Sequence, residues 1–153
     1  MIAMLLDPDT SQYIKHLNLK TRAVYETILD SRLTQIRTNT GFHWLGRLKT
    51  TNELVGAVNL SLISGTQKMQ LGFQLQKKFW GKGFATELAQ SVLQVGIEEK
   101  GLTTIYGVFE KDNIASKNVL EKMGFKVETK DALKEAGVIT YRFLASPQTL
   151  TSI

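Results

Sequence analysis

The chain has 153 residues, of which 42% are hydrophobic, and a formal net charge of +5. This length predicts one domain, residues 1–153, with enough apolar residues to bury a core. It has no cysteine and only two histidines, which excludes disulfides, a cysteine nucleophile and thiolate metal sites and predicts that no metal is bound. No stretch is apolar enough to span a membrane, and the start lacks the basic region of a signal peptide, so we expect a cytoplasmic protein.

The first third of the chain predicts two helices and then a hairpin. Asp7-Pro8 is typical of a helix start, and a partly apolar stripe predicts a second helix at residues 22–36. Two apolar runs, at residues 41–48 and 54–63, are separated by a polar turn. They predict antiparallel strands that lead into the centre of a sheet.

The most informative stretch is a predicted strand followed by a glycine loop and a helix. Apolar residues alternate along residues 71–76, as in a strand with one buried face. Gly81-Lys82-Gly83 follows, and helical spacing then begins near residue 85 and ends at Lys100-Gly101. Free N–H groups at the start of such a helix bind anions. Nearby lysines add positive charge: Lys77, Lys78 and Lys82. The loop therefore predicts a phosphate or pyrophosphate site.

A Gly-x-Gly pattern alone is also typical of a tight turn with no ligand. A dinucleotide-binding loop needs a third glycine where this chain has Thr86, and Gly81-Lys82-Gly83 is too short for a Walker loop.

The remaining pattern predicts a strand at 102–109, a short helix at 113–122 closed by Gly124, and strands at 125–129 and 138–144. The strand at 102–109 follows a helical crossover, so it should lie parallel to the strand at 71–76. A loop is expected at 131–137, and the polar tail from Ser146 should fray.

Two longer motifs carry a resemblance to a known family. Phe79-Trp80-Gly81-Lys82-Gly83-Phe84-Ala85-Thr86-Glu87 is similar to the acyl-CoA loop of the GNAT superfamily of N-acetyltransferases. Asn113-Ile114-Ala115-Ser116, with Val119-Leu120-Glu121-Lys122-Met123-Gly124-Phe125, resembles the N-x-x-S…V-L-E-K-x-G-F pattern of its RimJ/RimL-like branch, the ribosomal-protein-alanine N-acetyltransferase-like proteins. The resemblance covers roughly residues 44–143. Trp80 stands where the superfamily pattern has Gln or Arg, as is usual in this branch.

The resemblance implies an α/β (α+β) GNAT fold. Its sheet would be mixed, mostly antiparallel and twisted, with helices on both faces and two central strands splayed for acyl-CoA. The two N-terminal helices would shape the acceptor cleft. Only six residues precede Asp7, so the first strand of the family is expected to be short or missing.

The same resemblance implies which residues bind acetyl-CoA, the co-substrate. Phe73, Gln74 and Leu75 would lie nearest the thioester. The full predicted set is Phe73, Gln74, Leu75, Gln76, Trp80, Gly81, Lys82, Gly83, Phe84, Ala85, Thr86, Asn113, Ser116 and Lys117. Asn113 is equally a good N-cap for the helix that follows it. Glu87 is better explained by the helix dipole than by catalysis.

Ser116 is the predicted catalytic residue. In the RimJ/RimL-like branch the matching serine is proposed to donate a proton to the CoA sulfur, whereas many other members use a tyrosine four residues later, where this chain has Leu120. The alternative is a first-turn serine that only bonds the cap backbone. No residue stands out as general base. Glu53, Glu110, Asp112 or an ordered water would serve.

These observations predict an acetyl-CoA-dependent N-acetyltransferase that acts on a primary amine by direct transfer in a ternary complex. The amine would belong to a protein N-terminus, a polyamine or an amino-sugar antibiotic. An acidic cleft would favour polyamines or aminoglycosides, and an open groove would favour peptides.

The alternative is a non-catalytic acyl-CoA-binding module, associated with a ribosome or RNA. CoA phosphates already account for the positive charge, so no nucleic acid or membrane partner is required, and the expected state is a monomer or homodimer.

Overall fold

A computed structural model describes Met4, Thr10, residues 21–129, Leu133 and residues 137–145. Within these residues lie three α-helices and six β-strands. In chain order they are α1 (Arg22–Arg37), β1 (Gly41–Arg47), β2 (Leu54–Leu62), β3 (Met69–Leu75), α2 (Phe84–Glu98), β4 (Thr104–Glu110), α3 (Ile114–Lys122), β5 (Lys126–Val127) and β6 (Val138–Leu144). A short 3-10 turn, Lys77–Phe79, joins β3 to the glycine loop.

The elements predicted from residue 22 onward are present, with small shifts at their ends. β4 begins at residue 104 and not at 102, because the Leu102 N–H closes the end of α2 by bonding the Gly96 carbonyl at 3.0 Å. β5 is shorter than predicted, although the Glu128 N–H still bonds the Thr140 carbonyl at 2.9 Å. Four predicted features fall outside the described residues. They are the helix from Asp7, the first strand of the family, most of the loop at 131–137 and the tail from Ser146.

The six strands form one sheet in the order β1-β2-β3-β4-β6-β5. Every neighbouring pair is antiparallel except β3 and β4, which are parallel as the helical crossover between them predicts. This is the mixed, mostly antiparallel sheet of the predicted fold. In the described chain no strand precedes β1.

The main core lies between the sheet and the two helices α2 and α3. It contains Val58, Leu60, Leu71, Ala89, Val92, Leu93, Ile105, Phe109, Leu120, Met123, Phe125, Tyr141 and Phe143. Two glycines let the helices approach closely. A Cβ on Gly96 would lie 2.8 Å from Leu60 Cδ1, and one on Gly107 would lie 2.6 Å from Leu120 Cδ1. Both helices are therefore fixed close to the strands that border the site.

The opposite face of the sheet carries α1. Its buried Tyr25 packs with Met4, Ile28, Leu54 and Ala57. Because side chains alternate along a strand, Ala57 points away from the core that holds Val58. The helix ends where Asn39 adopts a left-handed backbone, with φ 59°, and the Thr40 N–H bonds the Gln35 carbonyl at 2.9 Å. Helices thus cover both faces, as predicted.

Candidate functional site

β3 and β4 separate beyond a single paired position. Gln70 lies opposite Tyr106, and this is the one register pair between them in the described strands. β3 stays paired with β2 along Met69–Leu75, and β4 stays paired with β6 along Thr104–Glu110. The sheet therefore opens into a wedge between its two central strands, which confirms the predicted splay.

Backbone groups of β3 face this opening. The Gln76 N–H bonds the Val55 carbonyl of β2 at 2.9 Å. Because N–H groups alternate between the two sides of an antiparallel strand, those of Leu75 and Phe73 are directed away from β2 and into the gap. The Leu75 carbonyl accepts the Trp80 indole N–H at 2.9 Å. The N–H groups of Phe73 and Leu75 are therefore both placed to bond a ligand lying in the gap.

The glycine loop exposes the start of α2. Gly81 and Gly83 have φ of 70° and 83°, which strongly favour glycine. A Cβ built on either meets nothing within 4 Å, so the space in front of the helix is open. The Gly83 carbonyl accepts the Glu87 N–H at 3.1 Å, and no side chain caps the helix. The N–H groups of Phe84, Ala85 and Thr86 thus precede the first intrahelical bond and suit an anion.

The loop is held by the aromatic residues of the motif. Phe79 is buried and meets Phe84 edge-on, with ring centroids 5.8 Å apart. Its N–H bonds the Gln76 carbonyl at 2.9 Å. Together with the Trp80–Leu75 bond, these contacts tie the loop to the end of β3. Aromatic side chains here form part of the wall of the site.

The lysines around the loop are not equivalent. Lys78 forms an ion pair with Glu53 and lies 5.3 Å from the Phe79 ring centroid. Lys82 is exposed and lies 5.8 Å from the same centroid. Pairing with Glu53 offsets the charge of Lys78, so Lys82 is better placed than Lys78 to meet a phosphate.

The start of α3 forms the other wall of the gap. Asn113 caps this helix, because its Oδ1 accepts the Ser116 N–H at 3.0 Å. The predicted capping role is therefore present. The Ser116 Oγ makes no hydrogen bond among the described residues, so the hydroxyl does not bond the cap backbone as the alternative interpretation required.

Three cavities meet at Phe73. The loop cavity, about 290 Å³, lies between β3, the glycine loop and α3. The gap cavity, about 470 Å³, lies between β3 and β4, and the α1 cavity, about 480 Å³, lies between α1 and strands β1 to β3. Phe73 borders all three, Ser116 borders the loop and gap cavities, and Gly72 borders the gap and α1 cavities. A group at Phe73 is thus reachable from both faces of the sheet.

Ten of the predicted cofactor residues line the loop cavity: Phe73, Gln74, Leu75, Trp80, Gly81, Gly83, Ala85, Thr86, Asn113 and Ser116. Four do not. Gln76 Nε2 donates to the Leu54 carbonyl at 2.6 Å, Phe84 packs on Phe79, and Lys117 lies 3.9 Å from Glu121. Lys82 projects from the exposed loop.

The carboxylates considered as general bases lie in different places. Glu53 pairs with Lys78 beside the glycine loop. Asp112 is exposed. Glu110 borders the gap cavity together with Ser116. Of the three, Glu110 is the one that lines a cavity of the site.

Three residues that line the α1 cavity were not predicted from the sequence as site residues: Arg32, His43 and Asn59. His43 Nε2 lies 2.8 Å from Gln35 Oε1. Burial and, secondarily, the nearby Arg32 guanidinium lower the pKa of His43 to about 4. Burial also lowers the pKa of Arg32. Asn59 interrupts an apolar strand, and that polar break was the one local signal available.

Residues 1–126 match the family model described as "Acetyltransferase (GNAT) domain". A curated relative, Uncharacterized N-acetyltransferase YoaA of Bacillus subtilis (strain 168), is 33% identical over 89 residues, which cover 58% of this chain and 50% of the relative. The chain spans about half the length of the curated relatives that it matches. No helix in the described residues is long and apolar enough to cross a membrane.

Solved structures share the fold. An acetyltransferase from Agrobacterium tumefaciens str. C58 aligns with a TM-score of 0.83 and 17% identity, covering 94% of this chain and 82% of that one. RimL, a ribosomal L7/L12 alpha-N-protein acetyltransferase in complex with coenzyme A, aligns with a TM-score of 0.77 and 16% identity, covering 94% and 85%. Because the family model matches most of its length, this chain belongs to the acetyltransferase (GNAT) domain family.

Proposed function

We propose that this chain is an acetyl-CoA-dependent N-acetyltransferase that moves an acetyl group to a primary amine, on a protein N-terminus or a small molecule. One observation carries the proposal. The opening between β3 and β4 leads directly from the glycine loop to Phe73, where the cavities of both faces meet. That geometry suits a long anionic thioester held on one face and an amine arriving from the other.

The residues present fit acetyl-CoA as co-substrate. The open backbone at Gly81 and Gly83 leaves room for a pyrophosphate in front of the α2 N–H groups. The loop cavity would take the pantetheine arm beside Asn113. The Phe73 N–H would stabilise negative charge on the thioester oxygen. The coenzyme A complex of RimL, which shares this fold, supports the assignment.

The reaction we propose is direct transfer in a ternary complex. The amine nitrogen forms a bond to the thioester carbonyl carbon, the carbon–sulfur bond breaks, and the amine releases one proton. Ser116 would donate its hydroxyl proton to the departing sulfur and regain one from solvent, since this residue lines both the loop cavity and the gap cavity. An α-amine has a pKa of ~7.7–8.0, so water suffices as its base near neutral pH.

We further propose that the chain belongs to the RimJ/RimL-like branch, acts as one domain in the cytoplasm, and works as a monomer or homodimer. The hydrogen bond from the Ser116 N–H to Asn113 supports membership of this branch, because the serine of the motif then lies at the gap between β3 and β4.

Calorimetry with acetyl-CoA, combined with thiol release over a panel of amines, tests the function. We expect binding of acetyl-CoA and amine-dependent release of thiol. Binding without release for any peptide or small amine would identify a non-catalytic acyl-CoA-binding module. Failure to bind acetyl-CoA would overturn the assignment of the site.

A further inference from the structure

The side chain of Asn59 on β2 reaches across the neighbouring strand. Asn59 lies directly opposite Gly72 of β3 in the register of the sheet. Because Gly72 has no side chain, the Asn59 carboxamide rests on the glycine, with Oδ1 2.8 Å from the position that a Cβ would occupy. Within β2, all of which the structure describes, Asn59 is the one residue that lines the gap cavity. The glycine therefore lets a side chain of β2 reach the gap between β3 and β4.

The orientation of this carboxamide leaves a hydrogen-bond acceptor available. Its Nδ2 donates to Ser61 Oγ at 2.8 Å, two residues along the same face of β2. Its Oδ1 makes no hydrogen bond among the described residues and is not one of their fully buried polar atoms. The oxygen is thus an accessible acceptor beside Phe73, where the three cavities meet. It suits a ligand that offers an N–H.

The body of such a ligand would lie in the α1 cavity, which Asn59 also lines. The wall of this cavity includes apolar side chains of α1 and β1: Leu33, Ile36, Trp44 and Leu45. Leu33 and Leu45 are 49% and 46% exposed. The volume of about 480 Å³ falls in the range of pockets that hold small organic molecules. An apolar group that covered these side chains would gain hydrophobic free energy.

We propose, building on the transferase function above, that Asn59 Oδ1 binds the amino group of the acceptor, and that the acceptor carries an apolar group beside this amine. One N–H of the neutral amine would donate to Oδ1, which leaves the nitrogen lone pair free to attack the thioester carbon. The apolar group would lie against Leu33 and Leu45. The carboxamide adds no charge that would stabilise the ammonium form, which cannot attack a carbonyl.

Thiol release from leucinamide and glycinamide tests the apolar group, because the two amines differ only in an isobutyl side chain. We expect kcat/KM for leucinamide to exceed that for glycinamide by roughly 10-fold or more, the scale of an apolar group bound in a pocket. Leu45→Ser should lower this ratio about three-fold, because part of the apolar contact is lost. Gln90→Ala, at an exposed position of α2, is the control that should leave the ratio unchanged. Equal turnover of both amines by the wild type would overturn the apolar requirement and leave the transferase function intact.

Asn59→Ala and Ser61→Ala separate binding of the amine from support of the strand. Both variants lose the hydrogen bond between these two side chains, but only Asn59→Ala loses Oδ1. We expect Asn59→Ala to lower kcat/KM for leucinamide roughly five-fold, the scale of one hydrogen bond, with an unchanged Kd for acetyl-CoA. Ser61→Ala should lower it roughly two-fold or less, because the acceptor oxygen remains. Equal losses in the two variants would reduce Asn59 to a structural role and overturn its contact with the amine.

Asn59→Asp adds a measurement that a structural role would not affect. A carboxylate in this place would stabilise the ammonium form of the bound amine, so the rising limb of the kcat–pH profile should move to higher pH. Among the described residues, the titratable ones that line the α1 and gap cavities are Arg32, His43 and Glu110. They are present in both proteins, so the shift reports the charge at position 59. An unmoved limb would overturn the contact between Asn59 and the amine.

The outcomes distinguish this inference from the function on which it rests. Thiol release with wild-type kinetics in both Asn59 variants would overturn the role of Asn59 alone. Absence of thiol release from every amine, with acetyl-CoA still bound, would overturn the transferase function together with this inference.

Discussion

The two ends of the site are built differently. At the loop end the groups placed to bind a ligand are mainly backbone groups, from β3 and from the start of α2, which belong to one continuous stretch of the chain; the start of α3 forms the opposite wall. The α1 end consists of side chains from α1, β1, β2 and β3, brought together only by folding. Backbone groups bind whatever fits their fixed geometry, whereas side chains change with each substitution. A common co-substrate therefore suits the first construction, and a variable acceptor suits the second.

If this contrast holds, substitutions at the loop end should change the binding of acetyl-CoA and leave selection among amines untouched. Substitutions at the α1 end should do the reverse. Ser116 and Gly72 lie between the two, where the cavities join, and their substitution shows how strictly the two ends are separated.

Gly83→Val should have the largest effect. The glycine has φ 83° and caps α2 in open space, so valine would strain the backbone and project into the proposed pyrophosphate site. We expect acetyl-CoA affinity to fall roughly 100-fold or more, about two decades in Kd, measured by calorimetry. Gly65→Val is the matched control, because Gly65 has φ 71° and equally open space in the turn between β2 and β3.

The control separates backbone strain from loss of the site. Both variants should unfold at lower temperature than the wild type, but only Gly83→Val should lose acetyl-CoA. A folded Gly83→Val protein with wild-type affinity would remove the glycine loop from the site.

Ser116→Ala should come next. If Ser116 is the proton donor, as we propose, it acts in the transition state, so kcat should fall while the Kd for acetyl-CoA stays near its original value. A thiol with a pKa of ~8.5 is already a fair leaving group, so we expect a decrease of about 10- to 100-fold, the lower end for general acid catalysis. Melting temperature, affinity and kcat should be measured on one preparation.

Ser91→Ala serves as the control for Ser116→Ala, because its Oγ only bonds the Glu87 carbonyl on an exposed face of α2. The free Ser116 Oγ predicts little loss of stability on substitution. A lower melting temperature with full turnover would show instead that Ser116 only supports the helix.

The same contrast explains what the sequence could predict. The residues of the loop end could be predicted from the sequence because the patterns that indicate them are local. Alternation marked β3, two glycines marked the loop, and Asn113 three residues before Ser116 marked a helix cap. The residues of the α1 end could not be predicted in this way. Arg32 looked like part of a helix stripe and His43 like a strand residue, because nothing in their neighbours along the chain shows that they share a cavity.

Gly72→Ala tests the junction between the two ends. Its Cβ would displace the Asn59 carboxamide, whose Oδ1 would be only 2.8 Å away. The displaced group is the end of a side chain, so we expect modest destabilisation and roughly five-fold lower kcat/KM for the amine, with acetyl-CoA affinity retained. In the double variant with Asn59→Ala the two losses should not add, because both remove the same contact. Additive losses would show that Gly72 acts independently of Asn59.

The smallest effect concerns His43 and stability. Its pKa is about 4 in the folded protein, against the ordinary value of 6.5 for a histidine. Between these two pH values the unfolded chain binds the proton and the folded chain does not, so protonation favours unfolding. The stabilisation from neutral His43 is therefore fully present above pH 6.5 and is lost as the pH falls towards 4.

His43→Gln removes this titration and keeps a polar group that can still bond Gln35. Because His43 is only partly buried, we expect the wild type to lose roughly 1 kcal/mol more free energy of unfolding than His43→Gln between pH 7 and pH 4.5. Urea unfolding of both proteins at several pH values measures it. Carboxylates titrate alike in the two proteins, so the difference in slope reports His43. Parallel pH dependences would mean that the imidazole is solvated in the native state and that the α1 cavity is wetter than its apolar wall implies.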